Sequence, residues 1–256
     1  MVIYDCFIYN GEFKMLNFRL HELRDLVDYF VIAESDHTFK GDKRELAYPE
    51  QRKAFDTFES KIIYLRHSAV PHPDPWANET DLRNHLAVGL LSRKLYPEDV
   101  IVLSDVDEIP DTCTLERIRR VNFSGIGTFY QNFHYYNLRC RSTRKWCGST
   151  FFNYGSGYLK LGFQQLRENR HHLPKVGSDG DFTSGGWHLS YFGDPQAIIQ
   201  KIRSFSHQEF NRPRYTDPKV IEDCIRNGRD LLFRKEEQFE TIDNPTYVPK
   251  HASLLD

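Results

Sequence analysis

Asp105, Asp107 and Glu108 place three carboxylates within four residues, directly after the apolar run Val100-Ile101-Val102-Leu103. Carboxylates this close repel one another, and a hard cation that prefers oxygen ligands, Mn²⁺ or Mg²⁺, relieves the repulsion. The run before them shows no polar alternation, which is the pattern of a strand buried on both faces of a mostly parallel sheet. Open α/β sheets bind ligands just beyond the carboxyl ends of such strands, where these three side chains fall. A solvated acidic turn is the other reading of the triplet alone. A second segment, Gly185-Gly186-Trp187-His188-Leu189-Ser190-Tyr191-Phe192, combines two glycines, which permit close backbone approach, with an indole able to stack on a sugar. His188 in the same segment offers a neutral ring nitrogen to a metal.

The elements that must position these residues are legible in the first half of the chain. Ile3 to Ile8, Tyr29 to Ala33 and Ile62 to Leu65 read as strands that end in polar residues, and Val100 to Leu103 as a fourth. Leu16, Leu20, Leu23 and Val27 recur at helical spacing after the first strand, and Leu82, Leu86, Leu90 and Leu91 before the fourth. This β-α-β-β-α-β order predicts a doubly wound, Rossmann-like, mostly parallel sheet flanked by helices. In the second half, Phe129 to Tyr136 reads as a strand and residues 139–157 as loop and hairpin. Asp194-Pro195 and Asp217-Pro218 each set an N-cap carboxylate before a proline at the first helical position, and Gly228 marks a helix stop. No linker separates the halves, so a single domain over residues 1–256 is expected, with a nucleotide-binding half to about residue 110 and an acceptor-binding half from about 111.

At 256 residues the chain can bury one substantial core. A net charge of -2 argues against a dedicated nucleic-acid binder, which carries a basic stripe. The five cysteines are odd in number and lack paired C-x-x-C spacing, the usage of reduced thiols in a cytoplasmic protein. No basic n-region with an apolar h-region opens the sequence, and no apolar run approaches the ~18 residues that span a bilayer, so neither export nor a transmembrane segment is expected.

Taken together, Tyr4 to Glu12, Val27 to Ser35, Ser104-Asp105-Val106-Asp107-Glu108-Ile109-Pro110, Gly186 to Tyr191 and Lys201 to Glu209 resemble the bisecting-type N-acetylglucosaminyltransferases of glycosyltransferase family 17. The matching stretches run in order over residues 4 to about 234. The resemblance implies a GT-A fold and an inverting, metal-dependent transfer of N-acetylglucosamine from a UDP sugar to a β-linked mannose or other glycan acceptor. By the same analogy, Asp107 would ligate the metal directly, Asp105 would touch metal-bound water or ribose, and His188 would complete the set. Glu34 would hold uridine or ribose hydroxyls, or else serve as a helix cap or loop salt bridge; Arg83 would neutralise a phosphate, or else lie on a solvated helix face; and Trp187 would stack on the donor. An inverting transfer needs a carboxylate to deprotonate the acceptor hydroxyl, for which Asp181, Asp179, Glu108 and Glu209 are candidates. Arg139, Arg141, Arg144 and Lys145 form a basic loop that would close on the diphosphate. Animal members carry a membrane anchor and stem; without one, a bacterial or viral glycan is the expected acceptor. The competing readings are a metal-dependent phosphohydrolase of the haloacid-dehalogenase type, whose Asp-x-Asp usually follows the first strand, and a non-catalytic nucleotide-sugar or carbohydrate binder.

Overall fold

Four strands of the first half pair in parallel, β1 (Ile3–Tyr9), β2 (Tyr29–Ser35), β3 (Ile62–His67) and β4 (Val100–Asp105), in the spatial order β3-β2-β1-β4. The computed structural model describes residues 1–177 and 185–256, so Asp179 and Asp181 lie outside the described residues. β1 and β4 are mostly apolar, with Asp5 the exception inside β1, because each has strands on both edges and packed side chains on both faces. Helices α1 (Phe13–Leu23), α2 (Ala47–Gln51), α3 (Pro75–Leu91) and α4 (Thr112–Arg120) accompany them. Leu16, Leu20 and Leu23 of α1 pack with Phe7, Phe30 and Val102, while Leu82, Leu86 and Leu90 of α3 join a second cluster with Val31, Ala33, Ile101 and Leu103. Consecutive strand residues thus feed two different cores, as expected of a doubly wound sheet.

The second half extends the same sheet instead of forming a separate unit. Strands β5 (Glu108–Pro110), β6 (Ile126–Tyr135), β7 (Cys140–Asn153), β8 (Lys175–Val176), β9 (Gly186–Ser190) and β10 (Phe239–Thr241) complete ten strands, with the main path β3-β2-β1-β4-β7-β6-β9-β5. The sheet is mixed where a mostly parallel one was expected: β7 runs antiparallel to β4 and to β6, and β5 antiparallel to β9. The connection from β6 to β7 is too short for a parallel crossover and forces the antiparallel pairing. Residues 140–153, expected as loop and hairpin, are one long strand. Its basic residues, with Arg139, face acids near β10, Arg139 pairing with Asp243, Arg141 with Glu240 and Arg144 with Glu237.

Helices α5 (Phe163–Asn169), α6 (Pro195–Ser204), α7 (Pro213–Thr216) and α8 (Pro218–Asn227) cover the sheet's second half. The Asp-Pro starts behave as read: Asp194 accepts from the Ala197 amide and Asp217 from that of Lys219, while Gly228 ends α8 at a φ of 58°. All five cysteines are free thiols. Among the described residues, no helix is long and apolar enough to cross a membrane.

One polar contact crosses the apolar layer under α1. Arg19, fully buried, donates from Nε and Nη2 to the two carboxylate oxygens of Asp5 on β1, at 2.7 and 2.6 Å. Its Nη1 donates to the carbonyl oxygens of Glu108, Asp105 and Val106, at 2.6, 3.2 and 3.3 Å. Removing one partner of such a pair strands the other charge in the core. Arg19→Met is therefore expected to lower the unfolding free energy by about 3–5 kcal/mol in urea titrations, with much of the loss recovered in the Asp5→Leu/Arg19→Met double variant. A single variant as stable as the parent would show that this pair does not anchor the turn.

Candidate active site

β4 ends at Asp105, and the chain reverses through Val106 and Asp107 into β5, which pairs with β9 so that Glu108 lies opposite His188. Gly186 makes that pairing possible. Its φ is +88°, and a Cβ there would sit 2.1 Å from the carbonyl oxygen of Ile109. The acidic triplet and the Trp-His segment, about 80 residues apart in sequence, thus become neighbours through the β5–β9 register.

The three carboxylates are neutralised by cations from three separate helices. Asp105 accepts from Arg83 Nη1 of α3 at 2.7 Å and also from Arg167 of α5. Glu108, fully buried, accepts from Arg167 Nη1 and Nη2 at 2.5 and 2.8 Å and from the Trp146 indole at 2.7 Å; the Asp105 amide also donates to it at 3.1 Å. Asp107 accepts from Lys201 Nζ of α6 at 2.7 Å. Burial raises the pKa of Asp105, but the guanidinium groups of Arg167 and Arg83 more than reverse this and hold it far below the usual carboxylate range. Asp107 follows the same logic: burial pushes up, the Lys201 ammonium pulls further down, and the group is ionised.

His188 Nε2 lies 3.7 Å from Asp107 Oδ1. Its ring stacks on Phe133 at 4.7 Å and 7°, and sits 4.7 Å from the Trp146 ring. Burial lowers its pKa, and Asp107 and Glu108 only partly oppose that, so the imidazole is neutral. Its Nδ1 is buried without a hydrogen-bond partner among the described residues. A neutral imidazole beside an ionised carboxylate is a donor pair that suits Mn²⁺ or Mg²⁺, since such cations take further ligands from water and phosphate oxygens. Asp105 is drawn away to its two arginines, and among the described residues no three His, Cys, Asp or Glu side chains converge as a metal cage. Of the three ligands implied by resemblance, the structure brings Asp107 and His188 together and gives Asp105 to Arg83 and Arg167.

These groups face a cavity of about 440 Å³ whose walls include Asp105, Asp107, Arg167, Arg170, His188 and Lys201. Ile8, Asn10, Phe39, Trp76, Phe205 and His207 also line it, as do Phe133 and Trp146, whose rings pack against His188. A second cavity of about 450 Å³ shares Glu12, Asp107, Tyr191 and Lys201 with the first and continues past Phe13 and Phe192. Cationic and aromatic side chains therefore line one compartment together, with a neighbouring compartment opening beside Asp107.

Other candidates from the sequence fall elsewhere. Glu34 is fully buried and accepts from the Ala47 and Tyr48 amides, at 2.7 and 3.0 Å, the Tyr64 hydroxyl at 2.9 Å and Arg44. It caps α2 and lines neither cavity. Trp187 is buried against Tyr247, with ring centroids 4.5 Å apart and its Nε1 donating to the Tyr247 carbonyl at 3.3 Å. Strand alternation sends it to the core while His188 faces the cavity. Glu209 is an exposed partner of His207 Nδ1 at 2.7 Å. Arg83 is buried, pairs with Asp105 and Glu79, and lines neither cavity. Sequence reading missed Arg19, Arg167, Arg170, Trp146 and Glu12. Of these only Glu12 sits in a stretch that carries the family resemblance.

Residues 1–244 match the family model described as Glycosyltransferase family 17. Proteins from Rattus norvegicus and Homo sapiens, each named beta-1,4-mannosyl-glycoprotein 4-beta-N-acetylglucosaminyltransferase, are 37% identical to this chain, covering 94% of it and 51% of their own length. A Mus musculus protein of the same name is 28% identical over the same shares. The chain spans about half the length of the curated relatives it matches. Among solved structures, the inositol-1-phosphate CTP transferase from T. maritima aligns over 100% of this chain and 95% of its own, with 8% identity and a TM-score of 0.33. The glycosyltransferase GlyE of Streptococcus pneumoniae TIGR4 aligns over 99% and 59%, with 10% identity and a TM-score of 0.31.

The two carboxylates of the sequence-derived base set that the structure describes should separate cleanly on substitution. Glu108→Ala removes a buried partner of Arg167 and is expected to cost about 3–5 kcal/mol of unfolding free energy. Glu209→Ala is expected to change it by no more than about 0.5 kcal/mol, as for an exposed site. Chemical denaturation of both variants checks this, and equal effects would contradict the assignment of Glu108 to the buried network.

Proposed function

The chain belongs to glycosyltransferase family 17, and on that premise we propose that it is an inverting transferase of GT-A type, moving N-acetylglucosamine from UDP-N-acetylglucosamine to a mannose-type glycan acceptor. The observation that carries the reading is the Asp107–His188 pair, set at the carboxyl end of β4 and open to both cavities through Asp107. This is where open α/β sheets take their ligands. The Asp-x-Asp follows the fourth strand and not the first, which favours a transferase over the phosphohydrolase reading.

In this reading the first cavity, the one lined by His188 and Arg167, takes the donor. The flat base packs against aromatic side chains of the lining, and the diphosphate lies beside Asp107 and His188. Those two residues would hold Mn²⁺ or Mg²⁺, which when bound neutralises charge on the diphosphate oxygens as the sugar bond breaks. Lys201 and Arg167 are fixed in place by Asp107 and by Asp105 with Glu108, so their charges need no reorganisation when the donor enters. The second cavity, floored by Phe13, Tyr191 and Phe192, takes the acceptor glycan.

Proton removal from the acceptor hydroxyl requires a carboxylate with a free oxygen. Glu108 has none, because both oxygens are engaged and the side chain is fully buried. Glu12 lines both cavities and binds the Asn10 amide through Oε2 at 2.9 Å. The base in this proposal comes from Glu12, Asp179 or Asp181.

Incubation with UDP-N-acetylglucosamine, Mn²⁺ and a mannose-terminated glycan should add one N-acetylhexosamine, read by mass spectrometry, with a β anomer by NMR. Asp107→Asn should lower turnover by about 10²- to 10³-fold, and chelator should abolish it. Donor binding without turnover would instead support a non-catalytic binder, and an α-linked product would overturn inversion.

A further inference from the structure

Each arginine or lysine lining the first cavity, and Arg83 behind it, can be matched to an acid, with one exception. Arg83 pairs with Glu79 and Asp105, Arg167 with Asp105 and Glu108, Lys201 with Asp107, and Arg234 with Asp230. Arg170, which follows α5, lines the same cavity and has no carboxylate within ion-pair distance among the described residues. It is also held in place. Its Nε donates to the Cys147 carbonyl at 2.8 Å and its Nη1 to the Arg167 carbonyl at 2.6 Å. The guanidinium carbon lies 5.6 Å from the centre of the Trp146 ring, and that ring is pinned by its own hydrogen bond to Glu108. Nη2 makes no hydrogen bond to a described residue.

An unpaired guanidinium in a partly closed cavity is costly without a ligand. Burial, and then repulsion from Arg167, pull the Arg170 pKa down to about 10. An anion entering the cavity would remove both penalties, and a fork of N–H groups matches the oxygens of a phosphate better than a point charge does.

We propose that Arg170 is the residue that binds the diphosphate of the nucleotide-sugar donor and stabilises it as the leaving group. This rests on the transferase reading above. In the transfer step the acceptor oxygen bonds to the anomeric carbon, whose bond to the β-phosphate oxygen breaks. The electron pair of that bond stays on the diphosphate, the acceptor proton goes to the base carboxylate, and Arg170 donates hydrogen bonds to the released oxygens without losing its own proton.

The test is calorimetry on the full chain in metal-free buffer, with inorganic pyrophosphate, UDP and uridine as titrants. Arg170→Gln should weaken pyrophosphate and UDP binding by about 10- to 100-fold, the range for a hydrogen bond to a charged group, and leave uridine binding unchanged. Arg170→Lys keeps the charge but not the fork; it should fall between the two and carries the test if the Gln variant does not fold. Pyrophosphate that binds wild type and variants alike, or fails to bind wild type at all, overturns the proposal. So does a variant that loses uridine together with pyrophosphate, because that reports collapse of the cavity and a merely structural role. If pyrophosphate binding depends on Arg170 and no sugar is transferred to any acceptor, the anion site stands and the transferase reading fails.

Discussion

The Arg19 guanidinium, buried under α1, grips Asp5 of β1 with two hydrogen bonds and gathers the carbonyl oxygens of Asp105, Val106 and Glu108 on its third nitrogen. Backbone carbonyls at a tight reversal have no ladder partner of their own and need a donor when buried. Here one cation satisfies three of them and ties the reversal to the strand beside it. With the backbone fixed, the directions of the Asp105, Asp107 and Glu108 side chains are fixed too. Every feature of the cavity that involves those side chains depends on a contact made from the opposite side of the sheet.

The second constraint is electrostatic. Three carboxylates at one reversal repel each other, and the fold answers with Arg83, Arg167 and Lys201, brought from α3, α5 and α6. In a setting with little water these pairs hold the charges in place before a ligand arrives, which is the condition under which fixed dipoles and charges are most effective on a reacting group. The network also sorts the residues by task. Glu108 is closed in and holds Arg167 and Trp146, whereas Asp107 stands at the junction of two cavities beside a neutral imidazole.

How much of this the sequence disclosed depended on the range of the interaction. β1, β2 and β4 were legible because strands buried on both faces are mostly apolar, β3 because Ile62 to Leu65 is a short apolar run closed by polar residues, and the starts of α6 and α8 because Asp-Pro is a local signal of a capped helix. β5 escaped because three residues carry no periodicity, and β7 because its outer half bears polar and basic residues that look like a loop. Trp187 and Glu34 have side-chain types suited to sugars and hydroxyls, yet one is turned into the core by strand alternation and the other caps a short helix. The cations that complete the site and that the sequence did not disclose come from positions 167, 170 and 201; Arg167 lies 62 residues from Asp105 and Lys201 94 from Asp107, and no local pattern marks a pairing over that range.

The central claim is that the nucleotide sugar lies along the carboxyl edge of β4, with its diphosphate beside Arg170. Hydrogen–deuterium exchange with and without UDP and Mn²⁺ tests it most directly, because it locates the ligand without assuming the reaction. The account predicts slower exchange in peptides covering residues 105–110, 166–172 and 186–191, with no change across α8 (Pro218–Asn227). Protection confined to other parts of the chain, with these three segments exchanging as before, would contradict it.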